Sequence, residues 1–388
     1  MNNSNLSRRD FVRRGLTVAA GAPLAWRFAE ASLSGAPADG PRRTDAKTAI
    51  VACRGYGPEF RTALDKSFDL LGGIGPLVKD KTVTVKINLT GTDFSPYLGR
   101  SVGETYLTHP DTALALGSAL IAAGARRVRF VESTNSKAAL SSTLSLGGWD
   151  MKAFESLGRV EFENTRNLGV GKNYAHLPVP NGGRVFSAFD FNHAYADTDV
   201  LVSLAKLKQH VTAGVTLSMK NLFGITPNSL YGSAAGSEEA TEGRGVLHDP
   251  HSAPKVKPPG LKDGLPIEAA TVRVPQIVAD ICAARPIHLS VIDGVTSVSG
   301  GEGPWCANVA TLKAVSPGVL IVGLNPVSTD AVATAVMGYP DPRSTTAKPF
   351  NFCANHLLLA EQSGIGAADL ARIEVRGLSV AQAKYPYG

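Results

Sequence analysis

Cysteine is scarce and scattered. The four in 388 residues, Cys53, Cys282, Cys306 and Cys353, form no Cys-x-x-Cys, so zinc ribbons and iron–sulfur clusters lack their usual local ligands. Cys282 and Cys353 fall in apolar stretches that read as helix, which favours core thiols over disulfides. Also missing are the His-x-x-x-His and His-Glu-x-x-His pairs of zinc sites, a Gly-x-Ser-x-Gly nucleophile elbow, and the terminal Lys-Ser/Thr of a phosphate-binding P-loop. Gly72-Gly73-Ile74-Gly75 follows an expected helix, not a strand, so it is no dinucleotide fingerprint. His248 and His251 lie in a polar stretch around Pro250 and read as solvated loop. No apolar run reaches the ~20 residues of a permanent membrane span.

Charge of one sign is also limited. The formal net charge is +6, and half of it comes from residues 1–31, which hold five arginines against Asp10 and Glu30. The rest is too mildly basic, and too poor in basic patches with interleaved aromatics, for nucleic acid. Those first residues read as an address. Ser7-Arg8-Arg9-Asp10-Phe11-Val12 is a twin-arginine pattern, followed by a mildly apolar stretch from Gly15 to Trp26 and small residues at Ala29-Glu30-Ala31. Residues 1–31 are expected to be a signal peptide for the twin-arginine translocase, delivering a folded chain to the periplasm; a retained N-terminal anchor is the alternative. The mature chain is expected to have no transmembrane domain. Residues 32–47, rich in Gly, Pro, Ala and Asp, read as a linker.

From Thr48 onward the sequence alternates strand and helix patterns. Thr48–Cys53 and Thr82–Asn88 read as strands around a helix near Glu59–Leu71. Asp111–Ala123 reads as a helix entered through His109-Pro110, and Arg127–Val131 as the next strand. Phe154–Asn181 is less regular. Val274–Ala284, Asp330–Met337 and Cys353–Ser363 read as helices, with strands at His288–Ile292, Leu312–Val315 and Val319–Val322. The expected fold is α/β: a mostly parallel or mixed sheet with flanking helices, forming one large domain over residues 48–388. Residues 228–271, dense in Gly, Pro, Ser and charge, read as a long loop insertion.

The polar residues cluster at strand ends. Asp199–Leu204 is a buried strand, and beyond it Lys206, Lys208 and His210 alternate with Leu207 and Gln209. An extended chain would point all three cations to one side. Thr212 or Thr216 then precedes Lys220 and Asn221 on a short helix that closes at Gly224. Lys86 and Asn88, Glu132, Asp293 and Glu302 end other strands or follow them. Open α/β sheets bind ligands beyond the carboxyl ends of their strands, so these groups are expected to line one cleft for a small anionic molecule. Lys86, Asn88, Lys206, Lys208, Thr216, Lys220 and Asn221 would contact the anion or cofactor. His109 and His210 would carry protons. Glu132, Asp293 and Glu302, with Asp330 as a further acid, would orient them or hold a divalent metal.

The chain resembles the family called domain of unknown function 362. The matching pieces are Val85-Lys86-Ile87-Asn88, Thr108-His109-Pro110, Ala123-Gly124-Ala125-Arg126-Arg127-Val128, Glu132-Ser133, Ala205-Lys206-Leu207-Lys208-Gln209-His210 and Met219-Lys220-Asn221-Leu222-Phe223-Gly224. Asp293-Gly294, Gly301-Glu302-Gly303-Pro304 and Asn325-Pro326-Val327-Ser328-Thr329-Asp330 come next in the same order. Some members carry ferredoxin-type modules; this chain lacks those cysteines, so the resemblance implies no iron–sulfur cluster. A more distant similarity is to the catalytic domain of nickel-dependent lactate racemases, where a histidine precedes a lysine that tethers a nickel-pincer cofactor. It implies His210 and His109 as acid/base pair and Lys220 as anchor for a metal-containing organic cofactor. The chain departs from that pattern after Lys220, where no histidine occurs until His248. Enzymatic redox or isomerase chemistry is therefore one reading. The others are a non-catalytic periplasmic protein that binds a ligand or metal, and an interaction module using residues 228–271.

Overall fold

The computed structural model describes residues 46–249, 251, 255–306 and 311–388. The expected signal peptide and nearly all of the expected linker lie outside the described residues. Eight strands form the central sheet: β1 (Lys47–Ala52), β2 (Thr82–Lys86), β3 (Arg127–Glu132), β4 (Val160–Asn164), β5 (Val200–Lys206), β6 (Leu289–Gly294), β7 (Val319–Gly323) and β8 (Glu374–Gly377). Their spatial order is β8-β1-β7-β6-β5-β2-β3-β4. Every neighbouring pair is parallel except those of β7, which runs antiparallel to β1 and β6. The fold is thus the expected mixed, mostly parallel α/β architecture.

The strands β5, β6 and β7 are mostly apolar and wholly buried because both their faces are covered. All seven residues of β5 are buried. Its Leu201 and Ala205 join the core layer under helices Ala270–Ala284 and Pro326–Val336. Its Val200, Val202 and Leu204 join the opposite layer, under helices Pro58–Leu70 and Pro110–Ala122. From β2 the chain moves outward to β3 and β4, then returns to place β5 on the other side of β2. The order therefore reverses between β2 and β5, and their carboxyl ends carry Lys86 and Lys206.

Three local expectations change. Cys353 precedes the last long helix, which runs His356–Gln362 and starts where the Asn355 side chain accepts the Leu357 and Leu358 amides. The helix expected at Asp330 begins earlier, at Pro326, because Asn325 caps it by accepting the Ser328 amide. Residues 228–271 are anchored rather than loose over their described part. They form short helices at Asn228–Tyr231 and Gly245–His248. Arg244 donates to the carbonyls of Thr226 at 2.6 Å and Gly224 at 3.1 Å, and Tyr231 packs against Phe186 and Phe189. All four cysteines are free. Among the described residues, no helix is long and apolar enough to cross a membrane.

Candidate functional site

Period two in parallel strands decides how the strand-end cations are shared out. Lys86 and Lys206 end neighbouring strands but face opposite layers of the sheet. Lys86 Nζ lies 2.8 Å from Glu132 and donates to the Ile87 carbonyl at 2.7 Å. Glu132 also accepts the amides of Leu89 at 2.7 Å and Ser133 at 3.0 Å. Burial pushes Lys86 down and Glu132 up, and their mutual attraction opposes both shifts. Asn221 ties this pair to the short helix Leu217–Asn221: its Nδ2 donates to Ser203 Oγ and the Lys86 carbonyl, and its Oδ1 accepts from Asn88.

On the other face, Lys206 Nζ lies 2.8 Å from Asp293 and donates to Tyr56 and the Gly103 carbonyl. Asp293 also accepts the Val295 amide at 3.0 Å and the Thr112 hydroxyl at 3.3 Å. His109 sits beside this group, stacked on Tyr56 at 3.6 Å between centroids. Its Nδ1 accepts the Asp111 amide, so it caps the helix that starts at Pro110. Burial, then the charge of Lys206, holds His109 below its usual range.

The chain does not stay extended past β5. The Leu207 amide donates to the Asp293 carbonyl at 2.9 Å and its own carbonyl accepts from Ser297 and Tyr387, which bends the strand. Lys206 is thereby separated from Lys208 and His210, which gather around Glu302. Lys208 Nζ donates to the Glu302 carbonyl at 3.0 Å and lies 5.9 Å from both the Tyr106 and Trp305 rings. His210 Nδ1 accepts the Thr212 amide, so its proton sits on Nε2, which donates to the Glu302 carboxylate. Trp305 Nε1 donates to the same carboxylate at 2.8 Å. Burial lowers His210 to about 4 despite Glu302. Burial pushes Glu302 up, but His210 and the Lys220 and Lys208 ammonium groups hold it well below the usual carboxylate range. A neutral imidazole thus donates to an ionised carboxylate.

Lys220 differs from the other buried lysines. Its helix begins at Leu217, whose φ of +45° is a left-handed conformation that costs a leucine about 1–3 kcal/mol. The Asp330 carboxylate clamps that start by accepting the amides of Ser218 at 2.9 Å and Met219 at 2.8 Å. Burial lifts Asp330 to about 7. Thr216 contributes backbone and a 3.3 Å bond to the Gln209 carbonyl. Lys220 Nζ lies 4.3 Å from the centre of the Phe223 ring and makes no hydrogen bond or ion pair among the described residues, though the residue is only 8% exposed. Burial lowers it to about 7; Glu302 resists, while Lys208, Arg244 and Lys86 push further down.

Two histidines join this set. His248, read from sequence as solvated, packs against Phe223 at 4.9 Å and shares a 2.9 Å bond with the Arg244 carbonyl. The Gly245–His248 helix holds it against the core, while His251 stays exposed. His356 is fully buried, and neither ring nitrogen finds a partner of normal geometry, although the Ala213 carbonyl is near. Burial lowers both rings to about 3. The sequence around His356 reads only as a helix start, so nothing in it marks the residue.

The single cleft expected from sequence is therefore three polar groups: Lys86–Glu132 with Asn88 and Asn221, Lys206–Asp293 with His109, and Lys208–His210–Glu302 with Lys220. Glu132 pairs with Lys86, Asp293 with Lys206, and the Glu302 carboxylate with the His210 imidazole. Among the described residues no three His, Cys, Asp or Glu side chains converge as a metal site. Residues 83–335 match the family described as a domain of unknown function, DUF362. The chain belongs to that family. No curated protein matches it.

Proposed function

We propose that this DUF362 protein is an exported enzyme that binds an anionic small molecule or cofactor at Lys220 and moves protons there, in redox or isomerase chemistry. The observation that carries this reading is the Lys220 side chain: largely buried at 8% exposed, its amine without an ion-pair or hydrogen-bond partner among the described residues and lowered to about 7. Buried lysines are normally paired, and one kept unpaired near neutrality has the properties of a ligand-binding or reacting group. Lys208 and Arg244 add positive potential around it. His210 holds a proton on Nε2 against an ionised acceptor, an arrangement suited to proton transfer. The distant similarity to lactate racemases supports Lys220 as an anchor, and the unpartnered amine fits such a tethered group, which would supply an electron sink when bound. The twin-arginine pattern supports periplasmic delivery of a chain already folded around its cofactor.

Protein isolated from the periplasm of its own host tests this directly, with metal analysis, absorption spectrum and intact mass measured on one sample. Added mass, a chromophore or a stoichiometric metal that disappears in Lys220→Ala is the expected result. A colourless, metal-free chain of unmodified mass whose melting temperature ignores added carboxylates would overturn the reading. Binding without turnover would leave the non-catalytic ligand-binding alternative.

A further inference from the structure

Four lysines are buried near the strand ends, Lys86, Lys206, Lys208 and Lys220, and Lys220 alone of them makes no hydrogen bond or ion pair among the described residues. Lys86 and Lys206 each have a carboxylate at 2.8 Å. Lys220 has an aromatic ring and, among the described residues, no counter-ion. A buried lysine can serve as an ion-pair partner, a hydrogen-bond donor or a nucleophile, and the first two roles need a partner that Lys220 lacks. The third needs the free base, which desolvation and nearby cations favour.

His356 supplies an independent observation. Its imidazole is fully buried and no bond of normal geometry reaches either ring nitrogen, although the Ala213 carbonyl lies near; an unmet polar group there costs about 1–3 kcal/mol. Such a group marks a place where a ligand or ordered water completes the bonding. It sits edge-on to Phe350 at 5.7 Å and lies near enough to His210 and Lys220 that positive charge on either disfavours its own. Of the charges acting most strongly on Lys220, Glu302 favours its protonation and Lys208, Arg244 and Lys86 oppose it. A ligand with its own negative charge suits that balance.

We propose that Lys220 is a Schiff-base lysine whose Nζ condenses with the carbonyl of a small anionic aldehyde or 2-oxo acid, with His356 as a polar contact for the bound molecule. This rests on the reading of Lys220 as the centre of an anion site. In the step, the Nζ lone pair forms the bond to the carbonyl carbon. The amine gives up both protons, and the carbonyl oxygen leaves with them as water, so the products are an imine and one water. The imine, once protonated, draws electrons from the neighbouring carbon and acidifies its C–H bond. That is the property a proton-transferring isomerase needs, and it places His210 in a chemical context.

The test uses the full chain in the form whose intact mass shows Lys220 unmodified, incubated at pH 7 with pyruvate and sodium cyanoborohydride and mapped by peptide mass spectrometry. An ordinary lysine is only ~0.04% free amine at pH 7, whereas one at about 7 is half free. The expected result is a reduced adduct on Lys220 formed at least about tenfold faster than on the exposed Lys152 and Lys172. The Lys220 rate should reach half its maximum near pH 7 and fall several-fold in His356→Gln. Labelling of Lys220 no faster than the exposed lysines would overturn the proposal. Calorimetry with oxalate, which is anionic and lacks a ketone or aldehyde, separates the two failures. Oxalate binding without a pyruvate adduct sinks the imine and spares the anion site; neither signal sinks both.

Discussion

Two regions at the same end of the sheet answer the burial of a lysine in opposite ways. At Lys206 the chain supplies a carboxylate, a carbonyl and a phenol, and the ammonium protons find partners. At Lys220 it supplies a ring, a strained helix start and neighbouring positive charge. The first arrangement holds strands β5 and β6 in register, since Lys206 and Asp293 are direct cross-strand partners. The second gives up that stabilisation. Residue type is the same in both places; what differs is whether the fold completes the bonding, and incompleteness is the better mark of a site than charge.

The comparison breaks most sharply at the closed pair. Asp293→Ala strands a buried ammonium, and should cost about 3–5 kcal/mol in chemical denaturation. The double variant Lys206→Met/Asp293→Leu should recover most of that, because two apolar side chains avoid both desolvation penalties. A loss below about 1 kcal/mol for Asp293→Ala would mean that Lys206 is neutral and the pair carries little.

Lys220→Met should behave in the opposite way and gain stability at pH 7, by up to about 4 kcal/mol, because it removes the cost of charging a desolvated amine and leaves no partner behind. Its pH dependence is more telling. The folded value of about 7 lies below the ~10.4 of an unfolded lysine. Between these two pH values the unfolded chain holds the extra proton, so stability rises with pH by up to about 1.4 kcal/mol per unit. Below pH 7 the full penalty of charging the buried amine is in force. Denaturation curves from pH 6.5 to 9.5 should show the wild type gaining on Lys220→Met as pH rises. Parallel pH profiles for the two proteins would place the amine in water.

Much of this architecture was legible in the residues, for a reason that also explains the gaps. β5 reads as a buried strand because Val200–Leu204 is apolar but for Ser203, and the helix from Pro110 announces itself through His109-Pro110. Strand ends rich in Lys and Glu correspond to the buried pairs Lys86–Glu132 and Lys206–Asp293 at the carboxyl end of the sheet. Periodicity says that Lys86 and Lys206 point away from a strand axis, but only sheet order and register show that they face opposite layers. The bend at Leu207 depends on Asp293, Ser297 and Tyr387, all distant in sequence. His356 and His248 were hidden because burial of a single histidine leaves no local pattern. The composition of residues 228–271 matches a solvated loop, yet Arg244 and Tyr231 pin that segment to the core through contacts with residues outside it.

Glu302 links the two kinds of region, since it is closed by its own partners and still acts on Lys220. Its carboxylate accepts from Trp305 and His210, and its charge reaches the free amine. Trp305→Phe removes one donor and keeps the ring face toward Lys208, so the expected loss is about 1 kcal/mol, the smallest of these effects. With one donor gone, the carboxylate becomes a stronger acceptor for His210 Nε2–H. The imidazole should then titrate somewhat above its value of about 4, as read by its NMR ring shifts. The Lys220 adduct rate should stay within about twofold of the wild type, because no atom of Trp305 is needed to keep the amine unprotonated. A large fall in that rate would show that the indole acts on Lys220 itself, making the Glu302 group and the free amine one cooperative unit.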